Sequence, residues 1–184
     1  MSLTETPICN FGEKAKNFDL LSTENKKISL DNVKGKNGTL IMFICNHCPY
    51  VKAVIKDIVK DAKYLETLGI KSAAIMSNDV KNYPEDSFEN MISFSKTHNF
   101  TFPYLIDKTQ ETAKKFGAVC TPDFFGYNKN LELQYRGRIR ELKNLKPVGK
   151  GDSDLNVAMK SIAASGKGPK KQIPSMGCNI KWFK

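Results

Sequence analysis

The stretch Leu40-Ile41-Met42-Phe43-Ile44-Cys45-Asn46-His47-Cys48-Pro49-Tyr50-Val51 constrains this chain more than any other. Leu40 to Ile44 is an apolar run with the length and side-chain types of a buried strand. Beyond it, Val51, Val54, Ile55, Ile58, Val59, Ala62 and Leu65 recur at three- and four-residue spacing, with lysines and aspartates between them, which predicts an amphipathic helix. A strand that runs through Cys-x-x-Cys into a helix puts two thiols where the first helical turn leaves backbone N–H groups unpaired. The aligned peptide dipoles concentrate positive charge at the same place. Such an environment favours thiolate over thiol, so Cys45 is expected to ionise at reduced pH, with Cys48 close enough to close a disulfide.

The rest of the pattern frames that stretch. Phe18 to Ser22 and Lys27 to Leu30 alternate like a hairpin with its turn at Thr23–Asn25. Gly69 reads as the stop of the first helix, and residues 70–77 as a second buried strand. Asn78 to Pro84 is then a loop at that strand's C-terminal end, where α/β folds place their sites. Residues 85–99 read as a helix, 102–106 as a strand and 109–116 as a short helix closed by Gly117. Strands at 124–127 and 131–135 suggest a second hairpin, and 152–165 a last helix capped by Asp152 or Ser153 and ended by Gly166. Residues 1–16 carry no clear pattern, and 167–184 read as an irregular basic tail ending in Ile180 and Trp182. No repeat and no second domain is visible. The expectation is one α/β domain over 1–184: a mixed central sheet with helices on both faces, an N-terminal β-hairpin extension, and a tail from 167.

A chain of 184 residues buries a core without disulfide staples, so its five cysteines, an odd number, read as reactive or buried thiols rather than a scaffold. No apolar run approaches the roughly 20 residues that span a bilayer, and the N-terminus lacks a secretory pattern. A cytoplasmic location is therefore expected. The net charge of +10 is mostly lysine, densest at Lys143–Lys150 and Lys167–Lys171. Without interleaved aromatics or a nucleic-acid motif it reads as a solvated surface, and neither a nucleic acid nor a membrane is expected as partner. Zinc would want four ligands. Cys45, His47, Cys48 and Cys120 supply four by count, but there is no second Cys-x-x-Cys, and His47 and Cys48 are neighbours in a tight turn. No metal and no cofactor is expected.

The Cys-x-x-Cys turn together with Thr121-Pro122 before a hairpin resembles a thioredoxin-like fold. The resemblance is to its AhpC/TSA branch of peroxiredoxins and TlpA/ResA-type thiol–disulfide oxidoreductases. It begins at Gly12-Glu-Lys-Ala15-Lys-Asn-Phe18-Asp-Leu20, with Lys16 where proline is usual, and runs to Arg138. Cys45 to Val51, Cys120 to Phe124 and Gly177 to Trp182 are similar to a peroxiredoxin-like group with a Cys-Asn-His-Cys motif. The resemblance implies that Cys45 attacks a disulfide as thiolate and Cys48 resolves the mixed disulfide. His47 matches the position where DsbA-type oxidants carry histidine, whose imidazolium would support the Cys45 thiolate. Pro122 resembles the cis-proline that faces the active-site disulfide and, with Thr121, offers backbone to a substrate strand. Cys120 reads either as a third redox thiol or as a small buried hydrophobe. Cys178 reads as a remote resolving thiol or a packed residue, and Cys9 has no assigned role.

Three functions remain open at this level. The first is thiol–disulfide exchange with protein or small-molecule disulfides, using a thiol reductant such as a thioredoxin or glutathione system. The second is an antioxidant thiol peroxidase. Against it, the P-x-x-x-T-x-x-C signature is unmet: Cys45 and Ile41 fill the Thr and Pro positions counted from Cys48, and Met42 and Gly38 those counted from Cys45. Arg136, Arg138 and Arg140 are the candidates for that signature's arginine. The third is a binding module whose lysine-rich surface docks an acidic partner. Pairing of two copies into a homodimer is compatible with each.

Overall fold

A computed structural model describes residues 2–184, so Met1 lies outside the described residues. The strands are β1 (Leu3–Glu5), β2 (Asp19–Ser22), β3 (Lys27–Ser29), β4 (Gly38–Phe43), β5 (Ile70–Met76), β6 (Tyr104–Ile106), β7 (Cys120–Thr121), β8 (Asp123–Asn128), β9 (Leu133–Tyr135), β10 (Leu142–Lys143), β11 (Lys146–Pro147) and β12 (Met176–Asn179). The helices are α1 (Leu30–Val33), α2 (Pro49–Thr67), α3 (Phe88–Thr97), α4 (Glu111–Phe116) and α5 (Asp154–Ser165). Seven strands form the central sheet in the order β3-β2-β6-β5-β4-β8-β9. Its β4-β5-β6 centre is parallel, and the flanking β2-β3 and β8-β9 hairpins join it through β2 and β8, each antiparallel to its neighbour.

β4 is buried at every position because it is paired on both edges and covered on both faces. Side chains alternate along a strand. Leu40, Met42 and Ile44 therefore pack with Val54 and Ile58 of α2, Met91 of α3 and Met159 of α5, while Ile41 and Phe43 pack with Val33 of α1 and Phe116 of α4. Each such large side chain, fully buried, contributes about 2 kcal/mol of transfer free energy. The mixed sheet with helices on both faces agrees with the sequence pattern, and β4 delivers Cys45 just beyond its C-terminal end.

Three local differences bear on the site. The helix expected over 85–99 is split: Pro84–Asp86 forms a single 3-10 turn, and α3 begins at Phe88 under a Ser87 cap that accepts from the Asn90 N–H. The break lets the Asp86 carboxylate turn inward, where it is fully buried. The tail expected to be irregular contains β12, which pairs antiparallel with β1 on one edge and β7 on the other. The patternless N-terminal segment thus contributes a strand to the same small sheet. Among the described residues, no helix is long and apolar enough to cross a membrane.

Candidate active site

Helix α2 starts at Pro49, whose missing N–H costs nothing in the first turn, so Cys48 and not Cys45 is the N-cap residue. Both thiols are buried, 1% exposed for Cys45 and fully enclosed for Cys48. Thr121 lies across from both, joined to Pro122 by a cis peptide bond. Cys45 Sγ is 3.4 Å from the Thr121 hydroxyl, and the Cys48 thiol donates to the Thr121 carbonyl at 3.2 Å. The two thiols interact directly, and Cys48 is the one whose ionisation is favoured. A hydrogen bond from the Cys45 thiol, opposed by burial and aided by the Cys178 thiol and the Val51 and Cys178 N–H groups, brings Cys48 down to about 5. Cys45 moves the other way, held up by its bond to Cys48, by burial and by the Asp86 charge. This direction differs from the depressed Cys45 that the sequence leads one to expect: the cap position, where the helix N–H groups converge, belongs to its partner.

Asp86 organises the turn between the cysteines. Its Oδ1 accepts the backbone N–H groups of Asn46 at 2.8 Å and His47 at 3.3 Å, and its Oδ2 takes His47 Nδ1 at 2.6 Å and Asn78 Nδ2 at 2.8 Å. Burial pushes this carboxyl up, but the His47 and Asn78 hydrogen bonds outweigh it and hold it below the usual carboxylate range. His47 is raised in turn by its bond to Asp86, against the effect of partial burial. It stacks on Tyr83 with ring centroids 5.7 Å apart, and the negative charge of Cys48 raises it further. The imidazolium thus supports Cys48, whereas Cys45 meets the opposing charge of Asp86. Tyr104, wholly buried, completes the turn by donating to Asn46 Oδ1 at 2.9 Å. Cys45, His47 and Asp86 present ligand atoms within 4.8 Å of one another. The carboxylate is already committed to four N–H donors, and these three residues fall one short of a closed zinc site.

The other sequence candidates separate into two groups. Cys178 joins the pair: opposite Thr121 in the β12–β7 register, it is 4% exposed and hydrogen-bonds Cys48. Burial and then that bond push its thiol up to about 12. Cys120, fully buried, donates weakly to the Pro122 carbonyl at 3.6 Å and is raised by burial and by the Asp123 charge. Cys9 is half-buried on a different cluster, where burial raises it to about 11. The arginines are engaged elsewhere: Arg136 with buried Asp123 at 2.9 Å, Arg138 with Asp154 at 2.6 Å and Arg140 with Asp57 at 3.3 Å. Asp86 and Tyr104 were not singled out from the sequence. The loop after β5 was, but Asp86 falls just beyond it, inside the helix expected over 85–99.

Residues 11–142 match the AhpC/TSA family. An uncharacterized conserved protein from Geobacillus kaustophilus is 38% identical, over all of this chain and 97% of its own, with a TM-score of 0.93. A hypothetical protein from Sinorhizobium meliloti 1021 is 33% identical over 98% of both chains, with a TM-score of 0.90. A putative protein disulfide isomerase from Bacteroides thetaiotaomicron shares the fold at 18% identity, over 75% of this chain and 83% of its own, with a TM-score of 0.59. No curated protein matches the chain. The chain belongs to the AhpC/TSA family and has the thioredoxin-like fold of its structural neighbours.

Proposed function

We propose that this protein is a thiol–disulfide oxidoreductase that exchanges disulfides through Cys45 and Cys48, with no bound cofactor. The observation that carries the reading is the Cys48 thiol at the N-cap of α2, lowered to about 5 and hydrogen-bonded by Cys45. A lowered Cys48 favours the thiolate, the form that attacks disulfides, and Cys45 beside it then displaces the substrate thiol to close the Cys45–Cys48 disulfide. Asp86 and His47 position the turn and favour the charge on Cys48. A pocket of about 180 Å³ lined by Tyr50, Pro122, Arg138 and Arg140 lies beside the site and offers room for groups flanking a substrate disulfide. The test is exchange of reduced protein with glutathione disulfide. Cys48→Ser should abolish it, and Cys45→Ser should prevent formation of the Cys45–Cys48 disulfide; undiminished exchange in Cys48→Ser would sink the proposal.

One observation favours a second reading, reduction of peroxides. The hydroxyl missing from the peroxiredoxin signature is replaced in space by that of Thr121, 3.4 Å from Cys45 Sγ. Thiol loss to hydrogen peroxide orders of magnitude faster than that of free cysteine, and slowed by Thr121→Val, would establish it. A rate like free cysteine's would leave exchange as the activity.

A further inference from the structure

The C-terminal strand raises a question that the pair of cysteines does not answer. In antiparallel pairs, opposed residues lie about 5 Å apart, and Cys178 is opposed to Thr121, the residue that both Cys45 and Cys48 touch. Cys45, Cys48 and Cys178 share one packed cluster, and β12 lies against α2. The approach is enforced by Gly177: a Cβ there would overlap the Thr121 carbonyl oxygen and meet its carbon at 2.7 Å. Ser175 adds a hydrogen bond from its hydroxyl to the Pro122 carbonyl at 2.7 Å, and the Asn78 side chain accepts the Lys181 N–H at 2.9 Å. The edge of β7, where an incoming strand would pair by β-augmentation, is therefore already filled by the chain's own tail, with a cysteine in register with Thr121 and hydrogen-bonded to Cys48.

We propose that Cys178 is a third exchanging thiol, and that Cys48 pairs alternately with Cys45 and with Cys178, the C-terminal strand acting as a substrate strand in cis. The proposal rests on the exchange reading above. When Cys48 is held in a mixed disulfide, the Cys178 sulfur attacks Cys48 Sγ. The Cys48–Cys178 bond forms, the bond to the substrate sulfur breaks, and the proton given up by Cys178 goes to the departing substrate thiol. From the Cys45–Cys48 disulfide the same attack expels Cys45, which takes the proton. That step moves one disulfide within the chain with no net oxidation. The Cys48–Cys178 state ties the tail down over the site, and the Cys45–Cys48 state leaves it held by hydrogen bonds and packing, without a covalent link.

The experiment oxidises the full chain with graded glutathione disulfide, blocks remaining thiols with N-ethylmaleimide, and maps disulfides in tryptic peptides. Cys45 and Cys48 share peptide 37–52, whereas Cys178 lies in peptide 172–181, so the two disulfides are distinct species. Wild type should give both the internal bond and the crosslinked peptides, and Cys45→Ser should give the crosslink as its main product in a monomer. A Cys45–Cys48 bond in wild type with no crosslink there or in Cys45→Ser overturns this proposal and leaves the exchange reading standing. Absence of both disulfides overturns the two together. The wild-type arm does not depend on any variant folding.

Discussion

At the scale of single residues, the site turns on which sulfur ionises. Cys48 occupies the cap and receives a hydrogen bond from Cys45, so titration of the 240-nm thiolate absorbance should show a midpoint near 5. Free cysteine would ionise near about 8.5. Cys48→Ser should remove the low step, and Cys45→Ser should raise it, because the Cys45 thiol is the largest favourable contribution. A first midpoint in the free-cysteine range would contradict the assignment. Asp86 is the second pivot: wholly buried with four N–H partners, it cannot be removed without orphaning the turn. Asp86→Ala should cost about 3 kcal/mol by urea unfolding. The pH dependence follows from the two directions. Depressed Asp86 contributes stability above its unfolded value, about 3.9, which is lost as pH falls through the folded one; raised His47 contributes below its unfolded value, about 6.5, and loses it as pH rises through the folded one. The penalty of Asp86→Ala should therefore be greatest between roughly pH 4 and 6.5 and smaller on either side; a penalty that grows steadily up to pH 9 would contradict the pairing.

Among the elements, the strand–Cys-x-x-Cys–helix unit was legible because its signals are local: a continuous apolar run, a 3.6-residue period and a proline at the first helical position. The two hairpins and the central strands were legible for the same reason. What was not legible depends on partners far along the chain. Asp86 meets His47 39 residues away, and without that contact it reads as one more acidic residue opening a helix. β12 has four residues, two of them Gly and Cys, and its pairing with Thr4 and Thr121 leaves no alternation to see. The sequence marks it through the Gly177-to-Trp182 resemblance and Cys178 rather than as a strand, and the geometry turns Gly177 into a requirement. Gly177→Ala should push the tail off the Thr121–Pro122 peptide and cost about 1–3 kcal/mol, as overpacking does. The informative readout is labelling: the Cys45 and Cys48 thiols, buried in the native chain, should react faster with N-ethylmaleimide in the variant. Unchanged labelling would mean that β12 does not cover them.

For the molecule as a whole, the small β1-β12-β7 sheet ties both chain ends to the active site, and the consequence is thermodynamic as well as chemical. Gln110, fully buried, fastens the last residues by donating to the Ser77 and Lys181 carbonyls and accepting the Phe183 N–H. A Cys45–Cys48 disulfide closes a loop of four residues around a turn that Asp86 already fixes, so it removes little freedom from the unfolded chain. A Cys48–Cys178 disulfide encloses residues 48 to 178, most of the 184-residue chain. Loop-closure entropy makes the difference large: a loop of this length is worth up to about 5 kcal/mol before any strain in the native chain. Oxidised Cys45→Ser should thus unfold at clearly higher denaturant than its own reduced form, whereas oxidised Cys178→Ser should differ little from reduced Cys178→Ser. The comparison is internal to each variant, so any packing loss from the substitution cancels. Equal midpoints for the two redox forms of Cys45→Ser, with the crosslink verified in the oxidised sample, would show that the tail is already as confined in the unfolded chain as the disulfide could make it. Stabilisation of the expected size would instead make the oxidation state of Cys48 a control on global stability, set by which of its two neighbours it holds.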